Sequence, residues 1–325
     1  MTMLTGDDHV PWFVTATIMA CLVIATPGCR PQNRQAPVLD DEKDHSAEQD
    51  DFALGVTALT TGEYRKAITH LTAAIQRDPE HAQAFHERGY AHEQIGDFGQ
   101  AEKDYDAALR IDPDRADSYT QKGVLHGIQG QYRLALEDLN AAIQLDPRSL
   151  HAYMNRAVAF SHLNQPQKAI DDYTKAVEIK PGQADALMNR GNIYAQQGLL
   201  PSALADYDQA IKMQPRFALA YYQRAAVYEQ QLRHQDAVND YSAAIRFAPG
   251  RAVIHGRRAL ANEKLGNLDA AIEDLTESIR LEPGNAAYYL MRSQIYKKTN
   301  DLEKSRADHQ KATQLTRESE QAGGP

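Results

Sequence analysis

Cysteine is nearly absent: the chain of 325 residues has two, Cys21 and Cys29, and none in the 296 positions that follow. A disulfide framework is therefore no part of whatever folds downstream. A basic surplus is missing too. Lysine and arginine number 35 against 44 aspartates and glutamates, a formal net charge of -9, whereas a non-specific nucleic-acid binder would show a basic face. Nor is there a glycine-rich phosphate loop, a GxSxG elbow or an HExxH helix, the motifs that cradle phosphate, expose a nucleophilic serine or hold zinc. These absences lead to the expectation of no enzyme, no cofactor, no metal, no small-molecule substrate and no nucleic acid.

What is present is a period. Pro79, Pro113, Pro147, Pro181, Pro215, Pro249 and Pro283 are spaced 34 residues apart without interruption. With that proline as position 32, eight units follow: 48-81, 82-115, 116-149, 150-183, 184-217, 218-251, 252-285 and 286-319. A fixed period of this size decides architecture before any single motif does. Three positions are small throughout, for example Gly191 at position 8, Ala203 at position 20 and Ala210 at position 27, as two closely approaching helix axes require. Aromatics such as Phe85 and Tyr153 at position 4, and Tyr105 and Tyr207 at position 24, fill the complementary places. Near position 15 a glycine or asparagine (Gly62, Gly96, Gly130, Asn164, Gly198, Gly266, Asn300) marks a helix C-terminus. Pro166 and Pro201 then sit at the start of the next helix, where a missing N–H costs least. The residue before each periodic proline leaves the α region and ends that second helix. Each unit reads as a helical hairpin.

This pattern resembles the tetratricopeptide repeat, with its aromatic at 4, Gly or Ala at 8, Tyr at 11, Ala at 20, aromatic at 24, Ala at 27 and Pro at 32. The resemblance runs from Glu48 to about Arg317. It implies an all-α fold, a right-handed solenoid of antiparallel helix pairs whose first helices line a concave groove that binds a partner protein or peptide. His92 and His126, at position 11 of adjacent units, then replace the packing tyrosine rather than ligate a metal.

Position 7 is Arg88, Lys122, Arg156, Arg190, Arg224, Arg258 and Arg292 in units two to eight. Position 23 is Asp104, Asp138, Asp172, Asp206, Asp240, Asp274 and Asp308 in the same units, and unit one departs at both places with Leu54 and His70. The cations lie on a mostly apolar stripe, where a charge needs a partner. Structural ion pairs are expected for Arg88 with Asp104, Arg156 with Asp172, Arg190 with Asp206 and Arg224 with Asp240, although each acid could equally meet the cation of the following unit.

A polar stripe lies beside it. Position 6 carries carboxamides in four successive units, Gln121, Asn155, Asn189 and Gln223, joined by Asn192 at position 9. A carboxamide both donates and accepts, so such a ladder could follow a partner's backbone. It resembles the asparagine ladder in the repeats of the O-linked N-acetylglucosamine transferases, with Asn155 and Asn189 matching as asparagine. Met154, Met188 and Tyr222 are expected to offer an adaptable apolar surface next to it. Charge along the groove is uneven: Glu87, Glu93 and Asp117 near one end, Arg257, Lys264, Lys297 and Lys298 against Glu263 near the other. The lysine that a carboxylate clamp of the chaperone-binding kind needs at position 5 is missing.

The leader, residues 1-28, reads as a signal peptide or signal anchor, with an uncharged run from Val10 to Gly28 that is short for a comfortable span. TPGC, residues 26 to 29, resembles the lipobox of bacterial lipoproteins, with Cys29 as the lipidated thiol, although Thr26 stands where leucine is favoured and no basic residue precedes the run. Conventional cleavage, an uncleaved anchor, or a helix packing on the repeats are the other readings. Residues 29-47 are polar and acidic and read as a disordered tether, and 320-325 as a disordered tail. Excluding the acceptor Cys29, the tether's 18 residues reach up to about 60 Å at roughly 3.3 to 3.6 Å each. The expectation is a scaffold at the bacterial cell envelope, lipid-anchored through Cys29 or else secreted or periplasmic, touching membrane only through its N-terminal segment. The alternatives are a soluble cytoplasmic or secreted adaptor, or a regulatory subunit of a separately encoded enzyme.

Overall fold

The computed structural model describes the backbone of residues 46 to 322 and the side chains of 51 to 319. The leader, Cys29 and the tether as far as residue 45 lie outside the described residues, whereas Ser46 and Ala47, expected in the tether, belong to the first helix. Among the described residues there are sixteen α-helices and no strand. They fall into two compact units, divided between His162 and Leu163. The first unit holds α1 (Ser46–Thr60), α2 (Tyr64–Arg77), α3 (Ala82–Gln94), α4 (Phe98–Ile111), α5 (Ala116–Ile128), α6 (Tyr132–Leu145) and α7 (Leu150–His162). The second holds α8 (Pro166–Ile179), α9 (Ala184–Gln196), α10 (Leu200–Met213), α11 (Ala218–Gln230), α12 (His234–Phe247), α13 (Ala252–Lys264), α14 (Leu268–Leu281), α15 (Ala286–Lys298) and α16 (Leu302–Ala322). The last helix continues to Ala322, past the boundary at 319 expected from the period.

Local chemistry explains the boundaries. At the end of α9, Gly198 takes φ 74°. Leu199 N–H then donates to Tyr194 C=O over 2.9 Å, closing the carbonyls that a helix C-terminus leaves open. The same bond recurs at Asp97, Gln131, Arg233, Asn267 and Asp301. Asn164 and Asn300 also adopt positive φ, as expected. One turn was not foreseen: Leu232 holds this place at φ 58°, with its side chain 77% exposed.

Small residues permit the close approach within each hairpin. A Cβ on Gly191 would come within 2.8 Å of the Tyr207 ring and 3.3 Å of Ala203 C=O. Tyr105, Tyr207 and Tyr241 fill the space so freed and are fully buried, as are Ala101, Ala203 and Ala237. In the second unit, Leu187, Met188, Tyr207, Ala210, Ala220 and Val227 form one apolar cluster, which shows that the core runs from one hairpin into the next. That continuity is the source of stability in stacked repeats, where a lone hairpin cannot bury its apolar face.

Candidate partner-binding face

The cations at position 7 turn out to be three-way braces. Arg190 donates from Nε and Nη2 to both oxygens of Asp206, at 2.8 and 2.7 Å, and from Nη1 to Thr174 Oγ1 at 2.9 Å. Arg190 is on α9, Asp206 on α10 and Thr174 on α8, so one side chain ties its own hairpin and the second helix of the preceding one. Arg224 repeats the arrangement on Asp240 and Asp208, Arg258 on Asp274 and Ser242, and Arg292 on Asp308 and Thr276. In the first unit Arg88 does so with Asp104 and Thr72. The expected pairing is therefore within the hairpin for Arg88, Arg190 and Arg224. Arg156 donates to Asn140 at 2.7 Å. It belongs to the first unit and its expected partner, the buried Asp172, to the second. The third partner, at position 25, escaped sequence reasoning because its identity changes from threonine to aspartate, asparagine or serine while only an acceptor oxygen is kept.

These pairs are enclosed: the Arg190 side chain is 16% exposed and that of Asp206 7%. The bond to Asp206 outweighs burial and holds the Arg190 guanidinium above its usual range. Bidentate, charge-assisted bonds of this kind are the strong ones. Three of its five N–H groups are thus spent on its own fold, which assigns Arg190 to structure.

The amide stripe is less free than the sequence suggests. Met154 and Met188 are 1% and 2% exposed, so the expectation that they present an apolar surface is corrected. Met188 faces the following hairpin, in the cluster that includes Ala220 of α11. Asn155 and Asn189 are each 8% exposed. Asn155 spends an amide proton on His151 C=O at 2.9 Å. Asn192 accepts from Tyr207 Oη at 2.8 Å and donates to Met188 Sδ at 3.2 Å. Gln121, Tyr222, Gln223 and Arg257 remain partly exposed.

On the second unit the exposed members converge. Tyr241 Oη donates to Glu229 Oε2 at 2.7 Å, and Arg257 Nη1 stands 3.8 Å from the same oxygen. The Tyr222 ring lies 5.7 Å from that of Tyr241. Burial pushes the Glu229 carboxyl up, while the Tyr241 hydroxyl and Arg257 oppose that rise. Glu229, at position 12, was not singled out; its signal is the pairing of an acid at 12 with a tyrosine at 24 of the same unit. Farther along, Lys298 bonds Glu263 at 2.6 Å.

The first unit repeats half of this. Tyr105 Oη donates to Glu93 Oε2 at 2.9 Å, with Glu93 at position 12 and Tyr105 at position 24. Glu93 is only 9% exposed, and burial pushes its carboxyl up to about 7, the Tyr105 bond opposing. Gln121 holds the position that Arg257 holds in the second unit. Among the described residues no group of three or more potential metal ligands is gathered.

Family models described as tetratricopeptide repeat or TPR repeat match residues 52–116, 121–184, 163–210, 191–231, 252–285 and 286–319. No curated protein matches. Among solved structures, a tetratricopeptide repeat protein from Parabacteroides merdae is 22% identical with a TM-score of 0.55, over 72% of this chain and 93% of its own. Pseudomonas aeruginosa pilF is 18% identical with a TM-score of 0.58, over 69% of this chain and 99% of its own. A chain of the APC/C hetero-tetramer Cut9-Hcn1 is 15% identical with a TM-score of 0.55, over 84% of this chain and 54% of its own. At these identities the likeness speaks for the fold. With the repeat models spanning most of the chain and paired helices throughout the described residues, the protein belongs to the tetratricopeptide repeat family.

Proposed function

We propose that this protein is a non-enzymatic scaffold of the bacterial cell envelope, held there through Cys29, which binds an extended segment of a partner protein along the polar stripes of its first helices. The repeat fold supports the scaffold role at the level of the family. The observation that carries the location of binding is the Tyr222, Glu229, Arg257 and Tyr241 assembly on α11, α12 and α13. Tyrosine and arginine are the residue types that dominate binding hot spots. Arg257 is held in place by a carboxylate and an aromatic neighbour, so little rotamer freedom remains to be lost on binding. Val253 and Leu260, about one turn to either side of Arg257 on α13, are at least partly exposed and would add apolar contact to a bound segment.

The envelope anchor rests on the sequence of the leader. Labelled fatty acid should enter the wild type and be lost in Cys29→Ser. The binding face is tested by crosslinked capture in cells, with Tyr222→Ala and Arg257→Ala each removing the captured protein while leaving the melting temperature near that of the wild type. Leu232→Gly, at a turn, is the control. Undiminished capture by both variants contradicts the assignment of this face.

A further inference from the structure

The two Glu–Tyr pairs offer an internal comparison in which one site shows what the other lacks. Glu229 and Glu93 occupy the same repeat position, each accepts from a buried tyrosine at position 24, and the two bonds are 2.7 and 2.9 Å long. Beside Glu229 the next hairpin places a guanidinium, that of Arg257. In the hairpin after Glu93 the position equivalent to Arg257 is Gln121, and among the described residues no lysine or arginine bonds Glu93. A buried carboxylate with a single hydroxyl partner is an expensive thing to keep. Nearby, Asp117 on α5 stands 3.9 Å from His86 Nε2. His86 in turn packs its ring 5.8 Å from that of Tyr105.

We propose that the first unit takes an arginine side chain of the partner segment against Glu93, in the place that Arg257 fills in the second unit. This rests on the reading of the stripes as a partner-binding face and adds the chemistry of what is bound: a guanidinium presented by an extended peptide. Arginine suits the place better than lysine because its planar fork bonds a carboxylate with two parallel N–H groups and is more weakly hydrated, hence less costly to bury. The first unit thus reads a basic residue in the partner, whereas the second unit, whose carboxylate is already answered internally, does not.

The test is competitive binding of an octapeptide pool to the full-length protein. Every member carries, at one fixed site, either arginine or citrulline, its neutral isostere, and the retained fraction is quantified by mass spectrometry. The wild type should retain arginine peptides over their citrulline twins by on the order of tenfold, about one power of ten in Kd. Glu93→Gln should erase that preference. Gln121→Arg should erase it as well, by building the second unit's arrangement into the first, and thermal melting establishes that each variant folds. Should Glu93→Gln fail to fold, Gln121→Arg alone decides. Equal retention of the twins by the wild type overturns the inference and leaves the scaffold reading standing, as does a preference that survives Gln121→Arg. Retention of no peptide of either kind overturns both.

Discussion

The two compact units are made from the same 34-residue period, yet they differ in how their charges are answered. From Arg190 to Arg292 the second unit carries four guanidinium braces in succession, each bonded to an aspartate of its own hairpin and an acceptor of the one before. The first unit is irregular. Lys122 stands in for arginine and reaches only Asp106, at 2.7 Å, while Asp138 is bonded by His126 Nδ1 at 2.7 Å instead. In the first hairpin Leu54 is exposed, and His70 faces Asp51 at 3.4 Å. The lesson is that identical packing positions tolerate a weaker polar lattice: Ala67, Ala101 and Ala135 are as completely buried as Ala203 and Ala237. Small-residue packing sets the fold, and the braces set how tightly neighbouring hairpins are held.

Substitutions should separate the two units in a definite order. The largest effect is expected from Arg190→Leu, which leaves Asp206 buried without its cation and should cost about 3 to 5 kcal/mol. Lys122→Leu, whose partner Asp106 is 47% exposed, should cost only about 0 to 1 kcal/mol. Hydrogen exchange resolved by helix would show α9 and α10 losing protection in the first variant and α5 and α6 nearly unchanged in the second. Equal losses would remove the distinction between the units.

Next in size is a pH effect at Glu93 in the first unit. The folded state raises Glu93 from 4.5 to about 7, so between those values the folded chain binds more protons than the unfolded one. Stability therefore falls as pH rises through this window, by on the order of 3 kcal/mol in full. Glu93→Gln keeps an acceptor for Tyr105 and should flatten that part of the profile. The wild-type minus variant difference in unfolding free energy, measured from pH 4 to pH 8, isolates it from the histidines. A flat difference contradicts it.

The smallest effect lies at a turn of the second unit. Leu232 holds a left-handed conformation that costs an L residue about 1 to 2 kcal/mol, and its side chain buries little in return. Leu232→Gly should raise stability by about 1 kcal/mol, less the added chain entropy of glycine, a gain of a few degrees in melting temperature. A loss would mean that the exposed leucine makes contacts worth more than its strain.

Much of this was legible in the sequence, for physical reasons. Prolines and turn glycines punctuate helices locally, so the hairpins and their register could be read directly, and the paired departure of Leu54 and His70 pointed to the Arg–Asp bond. Burial at positions 5 and 6 was not legible. Asn189 belongs to the polar stripe and Met188 sits beside it, yet both are buried, Met188 in the cluster that joins α9 to α11. The internal use of Asn192 by Tyr207 Oη was hidden likewise, since the tyrosine looked like a packing residue. The mate of Glu229 required two repeats to be compared at positions 6, 12 and 24 together.

Glu93 and Glu229 occupy equivalent sites, the first without and the second with a neighbouring cation. Carbon-13 NMR titration of the Glu93 carboxyl, in the wild type and in Gln121→Arg, tests this most directly. The wild-type carboxyl should titrate at about 7, and in Gln121→Arg it should move down toward the ordinary carboxylate range, as an adjacent guanidinium requires. A wild-type value already in that range, or one that Gln121→Arg leaves unmoved, would contradict it.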